Sequence, residues 1–222
     1  AYILYRKQRE KIRNVKSTML NYKDLVDSYV NVSDWRVKEN STVTYSVGGL
    51  ILSNSGAITA NYWLSEIYDE EIAKAHRDGD IHLHDLSMLT GYCAGWSLKQ
   101  LILEGLGGVD GKITSKPAIH LSSLCNQMVN FLGIMQNEWA GAQAFSSFDT
   151  YLAPFVKVDD LDFNTVKHCI ESFVYGVNTP SRWGTQAPFS NITLDWTVPE
   201  DLAEQYCIVG GKPMDFKYKD CK

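Results

Sequence analysis

The chain has 222 residues and a mass of 25.0 kDa, and 45% of it is apolar and 12% aromatic, which is enough to bury a substantial core and excludes a disordered, collagen-like or coiled-coil chain. Its 21 basic and 26 acidic residues give a net charge of −5, so no generally basic surface for nucleic acid is expected. No apolar run approaches the roughly 18 residues of a membrane span and no signal-peptide pattern opens the chain, which predicts a protein with no membrane partner.

Near the N-terminus, Arg6, Lys7, Arg9, Lys11, Arg13 and Lys16 oppose only Glu10. With Ile3, Leu4, Ile12 and Val15 they fit a basic amphipathic helix on a partner or a membrane surface, or a linker helix following another domain. The chain starts inside this segment and stops at Lys222 without a closing element, so both ends read as cut. Residues 22–41 are polar and irregular. The spacing of Ile58, Tyr62, Ile67, Ile72 and Ala75 predicts one long helix over 57–76, stopped by Gly79, and the alternation Ile81-His82-Leu83-His84 predicts the start of a strand. A short helix fits 97–105, ahead of a glycine-rich turn. Residues 121–136 form a helix whose wide apolar face, with Leu124, Met128, Phe131, Leu132 and Met135, must be covered within the chain or across a subunit interface. Residues 146–158 are aromatic-rich and run into the acidic turn 159–162. A helix over 164–175, a turn at 178–181, an extended segment over 187–196, a short helix after Pro199 and a hairpin turn at 209–212 complete the pattern. Strands separated by helices predict an α/β fold with strands buried on both faces.

Cys93, Cys125, Cys169, Cys207 and Cys221 form no CxxC pair, which argues against a disulfide framework or zinc ribbon and suits a reducing cytoplasm. On a strand, His82 and His84 would share a face and aim at one point, with Asp85 orienting a ring. A metal site and a pair of structural histidines both fit that pattern, but the sequence places no third ligand and no bound metal is expected. Cys93 has small neighbours, Ala94 and Gly95, that leave the room a substrate-facing thiol needs, although an inert buried thiol also fits. The run 178–193 places Arg182 among amides and hydroxyls, Asn191 included. That density of uncharged donors beside one cation suits a sugar or phosphate, with a structural polar loop as the other reading.

Taken in order, Ile81-His82-Leu83-His84-Asp85-Leu86, Cys93, Gly141-Ala142-Gln143-Ala144-Phe145-Ser146-Ser147-Phe148-Asp149 and Gln186-Ala187-Pro188-Phe189-Ser190-Asn191-Ile192-Thr193 resemble the anaerobic (class III) ribonucleoside-triphosphate reductases, the glycyl-radical branch of ribonucleotide reductase. Residues 1–18, with Tyr2-Ile3-Leu4-Tyr5-Arg6, resemble the end of the ATP-cone regulatory domain that precedes the catalytic domain in that family. The resemblance implies that 19–222 is the first half of a ten-stranded α/β barrel, built from two parallel five-stranded halves, with packed interface helices. It implies radical reduction of ribonucleoside triphosphates, with Cys93 as the reducing thiol on the first barrel strand. His82, His84, Arg182 and Asn191 would be polar groups on the substrate side. The thiyl cysteine, the glycyl radical and a four-cysteine structural zinc site would lie beyond Lys222, as would the residues that choose formate or a dithiol protein as reductant. The family also implies a homodimer, a radical-SAM activating enzyme as partner, and ATP and deoxynucleotide effectors. Lys116, Gln127 and Lys157 fall where effector contacts occur. The family often has Asp where Ser87 stands here. Readings from other classes are a metal-dependent hydrolase of the amidohydrolase type, opened by His82 and His84, and a nucleotide-sensing dimerisation module.

Overall fold

The computed structural model describes residues 22–31, 45–107, 114–181 and 186–221. The basic N-terminal segment and Arg182 lie outside the described residues. Two compact units are present, Ala1–Tyr92 with Trp183–Gln186, and Cys93–Arg182 with Ala187–Lys222.

The elements described in the first unit are helices: α1 (Tyr22–Val30), which stands where the polar run from residue 22 predicted irregular chain, α2 (Val47–Tyr62) running into a π-turn (Trp63–Ile67), and α3 (Glu70–Asp78). Ser46 caps α2 by accepting the Gly49 amide at 2.8 Å. Its own N–H donates to the hydroxyl of the buried Tyr29 at 3.2 Å, which ties α1 to the start of α2. The single helix expected over 57–76 is therefore two helices, broken at Tyr68, whose backbone is extended. The break has a local cause. Asp69, Glu70 and Glu71 put three carboxylates where a new helix N-terminus is favoured by the dipole, and Arg77 donates to the Leu64 carbonyl at 2.7 Å across the junction. The expected stop at Gly79 is present as a left-handed C-cap with φ 86°.

The strand expected from Ile81 does not form. Leu83 donates its amide to His76 Nδ1 at 3.1 Å rather than to a ladder, and Asp85 turns the chain at φ 50°.

The second unit is α/β. Strands β1 (Ala94–Trp96), β2 (Gln143–Phe145) and β3 (Ser190–Ile192) pair in parallel in that order, in the register Gly95–Ala144–Asn191. Between them run α4 (Leu98–Glu104), α5 (Leu121–Met135), α6 (Phe148–Val158) and α7 (Phe163–Val177), followed after β3 by the short α8 (Glu200–Ala203). Helical crossovers between parallel strands are what the length of the connections requires. Burial on both faces, expected for all strands, is found for none of them: in the middle strand Gln143 and Phe145, which share a face, are fully buried while Ala144 on the other face is only half-buried, and in β3 Asn191 and Ile192 are exposed.

The apolar face of α5 is covered by its own chain. Leu121, Leu124, Cys125, Met128 and Leu132 are buried with Phe145, Phe155 and Phe173 in one core. A Cβ at Gly176 of α7 would meet Val129 at 2.7 Å, so the glycine permits the close approach of the two helices. What α5 turns outward is polar, with Ser122, Ser123, Asn126 and Asn130, apart from Ile134. The unit ends in a hairpin, β4 (Tyr206–Val209) and β5 (Lys212–Lys217), whose turn residues Gly210 and Gly211 both take positive φ, as the two-residue turn predicts.

Candidate functional site

The two faces of the parallel sheet differ. On one, Trp96, Gln143 and Phe145 enter the core. On the other, the register places Gly95, Ala144 and Asn191 side by side, with Cys93 two residues before Gly95 on the same side of the chain. Cys93 is exposed, the only exposed cysteine of the five. A Cβ at Gly95 would meet nothing within 4 Å. This face is an open shelf with a thiol at one end and a carboxamide across it. Ala142 donates its amide to Cys93 Sγ at 3.3 Å and accepts from the Ala94 amide at 3.0 Å, which anchors the sulfur to the start of β2.

The remaining thiols have other environments. Burial, with a smaller contribution from nearby Cys169, pushes the Cys125 thiol up to about 12, and burial raises the Cys169 and Cys207 thiols as well. Cys207 and Cys221 lie with their sulfurs 3.5 Å apart beside the hairpin.

In the first unit the structure brings the two expected histidines together without a strand. His82 Nε2 and His84 Nδ1 are 3.1 Å apart, one donating to the other according to tautomer. His84 Nε2 lies 3.7 Å from Asp85, and its ring meets Tyr92 edge-on. The buried His76 lies beside His82 with the two rings tilted at 48° and 5.9 Å between centres, and its Nδ1 is fixed as an acceptor by the Leu83 amide. Its helical setting gave the sequence no signal of that role. Among the described residues no group of three or more His, Cys, Asp or Glu could hold a metal ion, so the hydrolase reading lacks its ligand set.

A groove of about 370 Å³ lies between the loop at Ser115–Ile119 and the outer face of α5, lined by Lys116, Ser123, Asn126, Gln127 and Asn130 among others. It unites two of the three expected effector contacts. Gln127 Nε2 donates to Ser115 Oγ at 2.8 Å and to the Lys116 carbonyl at 2.6 Å, which fixes the amide orientation, and its Oε1 is a buried acceptor without a partner. Lys157 is elsewhere: its ammonium donates to the Asp220 carbonyl at 2.5 Å and stands over the Phe216 ring. Asn126 and Asn130 were not expected here, yet their spacing from Ser123 on one helical stripe opposite the apolar face was a usable signal.

A third feature, also missed, follows β3. The Asp149 carboxylate accepts the amides of Asp195 and Trp196 at 2.9 and 3.0 Å, and Thr150 donates to Asp195 at 2.6 Å. Burial works against the charge, but these backbone donors hold the Asp149 carboxyl below its ordinary range.

The model of the family of anaerobic ribonucleoside-triphosphate reductases matches residues 39–220. Among solved structures, the chain is similar to the anaerobic ribonucleotide reductase of Thermotoga maritima in complex with dATP and CTP, with 20% identity and a TM-score of 0.58 over 81% of this chain and 36% of that one. It is similar to the same enzyme with dATP bound in the specificity site, at 21% identity and TM-score 0.60, over 83% of this chain and 32% of that one. With MES in the active site the figures are 21%, 0.63, 96% and 37%. The chain thus spans about a third of the length of these reductases. No curated protein matches it in sequence. The match over most of the sequence, together with the shared fold, means that the chain belongs to the anaerobic ribonucleoside-triphosphate reductase family.

Proposed function

We propose that this chain forms the first half of the catalytic barrel of an enzyme that reduces ribonucleoside triphosphates to deoxyribonucleoside triphosphates for DNA synthesis. The observation that carries the reading is Cys93 on the open face of the sheet, with Asn191 across from it and free space over Gly95. In the family, a glycyl radical supplies the thiyl that abstracts the ribose 3′ hydrogen. The residues of this chain would bind and orient the sugar. Cys93 would give a hydrogen atom to the ribose as the 2′-hydroxyl leaves as water, its oxidised sulfur being returned to the thiol by the external reductant, formate or a dithiol protein, which supplies the second reducing equivalent, and Asn191 would hold a sugar hydroxyl through its carboxamide. His82 and His84 would add a donor and acceptor pair to the substrate side, and Arg182 would offer a cation for the triphosphate. A thiol at the start of a paired strand has the fixed position that atom transfer needs, since an error of about an ångström can cost two orders of magnitude in rate.

The exposed strand β3 would be continued by further strands of the barrel, which would cover its bare faces and edge. The groove over α5 suits a nucleoside triphosphate effector: Lys116 for phosphate, Asn126 and Asn130 for a base edge, and the unpaired Gln127 oxygen for a donor. The polar outer face of α5 next to that groove suits the homodimer contact, in place of the apolar face first expected there. ATP regulation, a structural zinc and a radical-SAM activating enzyme in the cytoplasm complete the reading, each resting on parts of the protein outside this chain or on the N-terminal segment.

The test is Cys93→Ser in the full-length enzyme under anaerobic conditions. It should fold, bind nucleotide and accept the glycyl radical, yet make no deoxynucleotide, because the O–H bond is too strong to supply a hydrogen atom. Full turnover would overturn the role of Cys93, and comparable loss in Cys125→Ser would move it to another thiol.

A further inference from the structure

Gln143 is the fully buried polar residue of the middle strand, on the face of the sheet away from Cys93. A carboxamide in such a place costs stability unless both ends are bonded. Both are. The Trp96 indole donates to its Oε1 at 2.5 Å, and its Nε2 donates to the Gly141 carbonyl at 3.3 Å. The indole itself cannot turn freely, since Phe131 and Trp139 stand edge-on to it at 5.3 and 5.8 Å between ring centres.

The carbonyl that Gln143 grips belongs to the same peptide unit as the Ala142 N–H, and that N–H donates to Cys93 Sγ at 3.3 Å. A trans peptide is rigid and planar, with its C=O and N–H pointing in opposite directions. Fixing the carbonyl therefore fixes the direction of the N–H that meets the sulfur. We propose that Gln143 is a positioning residue for Cys93, acting through the Gly141–Ala142 peptide, with Trp96 as its anchor. The chain of donors runs one way, from the indole to the carboxamide, then to the peptide and to the sulfur. In such a sequence each bond polarises the next. Gln143 never touches substrate. Its effect is on where the sulfur sits and on how its lone pairs are occupied.

The inference rests on the reading of Cys93 as the substrate-facing thiol, and the experiment separates the two. In the full-length enzyme, Gln143→Met keeps the length of the side chain and removes both bonds. It should lower kcat for deoxynucleotide formation by about tenfold or more, with KM for the ribonucleotide, effector binding and glycyl radical content within about twofold of wild type. Hydrogen exchange should quicken in the peptide over residues 139–145 and stay unchanged in α5 and α7. Trp96→Phe, which removes only the anchoring donor, should shift both readouts the same way by less, and it carries the test if Gln143→Met fails to fold. Unchanged kcat and exchange in these variants, with Cys93→Ser inactive, would overturn the positioning role alone. Faster exchange throughout α5 and α7 would also overturn it, assigning Gln143 to general packing. An active Cys93→Ser would instead overturn the reading on which the inference rests.

Discussion

The two faces of the three-stranded sheet are made by the same nine residues, and they have been put to opposite uses. On one face Gln143 and Phe145 are fully buried and the half-buried Trp96 packs against the core and donates to Gln143. On the other, Gly95 and Ala144 leave a floor almost without side chains, bounded by Cys93 and Asn191. A strand alternates its side chains whatever they are, so a large residue on one face and a small one on the other at successive positions divides the labour within three residues. The packed face holds the backbone still, and under the proposed function the open face would use that stillness.

Substitutions on the two faces should accordingly separate stability from activity. Cys93→Ser, on the open face, has the largest expected effect on activity, complete loss of turnover, with thermal unfolding by calorimetry unchanged. Phe145→Ala, on the packed face of the neighbouring strand, should cost about 3–5 kcal/mol through the lost burial and the cavity left behind, measured by denaturant unfolding. A cost under about 1 kcal/mol would mean that the core collapses around the gap. Gly95→Ala is the finest probe of the open face. The added methyl meets no protein atom, so stability should stay level or rise by up to about 1 kcal/mol, while KM for the ribonucleotide rises several-fold because the methyl occupies the floor. A stable variant with unchanged KM would place the sugar elsewhere.

The hairpin supplies a control far from either face. Hydrogen bonds from Lys217 and Lys219, each at 2.6 Å, hold the exposed Glu204 carboxyl down to about 2. A carboxyl whose pKa is lowered by folding stabilises the fold above its ordinary value near 4.5. The small stability gap between wild type and Glu204→Gln should therefore be present at neutral pH and close as pH falls from about 4.5 towards 2. It should also shrink in salt, as an exposed pair must. A gap that persists at pH 2 would mean that Glu204 acts through packing.

Elements with local punctuation were legible in the amino-acid sequence. Ser97 and Gly105 bracket α4, Asp162 caps α7, and Gly210-Gly211 marks the hairpin, because capping and positive φ are properties of single residues. Elements decided at a distance were not. The alternation at 81–84 has the period of a strand, but His76, on the preceding helix, takes the amide of Leu83. The apolar face of α5 announced that it needed cover without saying from where. Met128 is fully buried against this chain's own helices, so a glutamate there should unfold the unit rather than release a monomer. At the site, Cys93 and Asn191 could be singled out by their neighbours and residue type. Gln143 could not, because a glutamine in a three-residue strand looks the same whether it faces water or holds a peptide in place.

Strands of only three residues carry a consequence for how such a protein is made. Parallel pairing joins segments far apart in sequence, so β1 must wait for β2, and β2 for β3, as they leave the ribosome at about 5–20 residues per second. An edge left bare for seconds is an invitation to other chains, and the hazard grows with its length. Each edge here offers two or three ladder bonds, too few to hold a stranger, while the helices that follow each strand can close the core locally. Brevity at the sheet thus protects the nascent chain during the interval in which its proper neighbours do not yet exist.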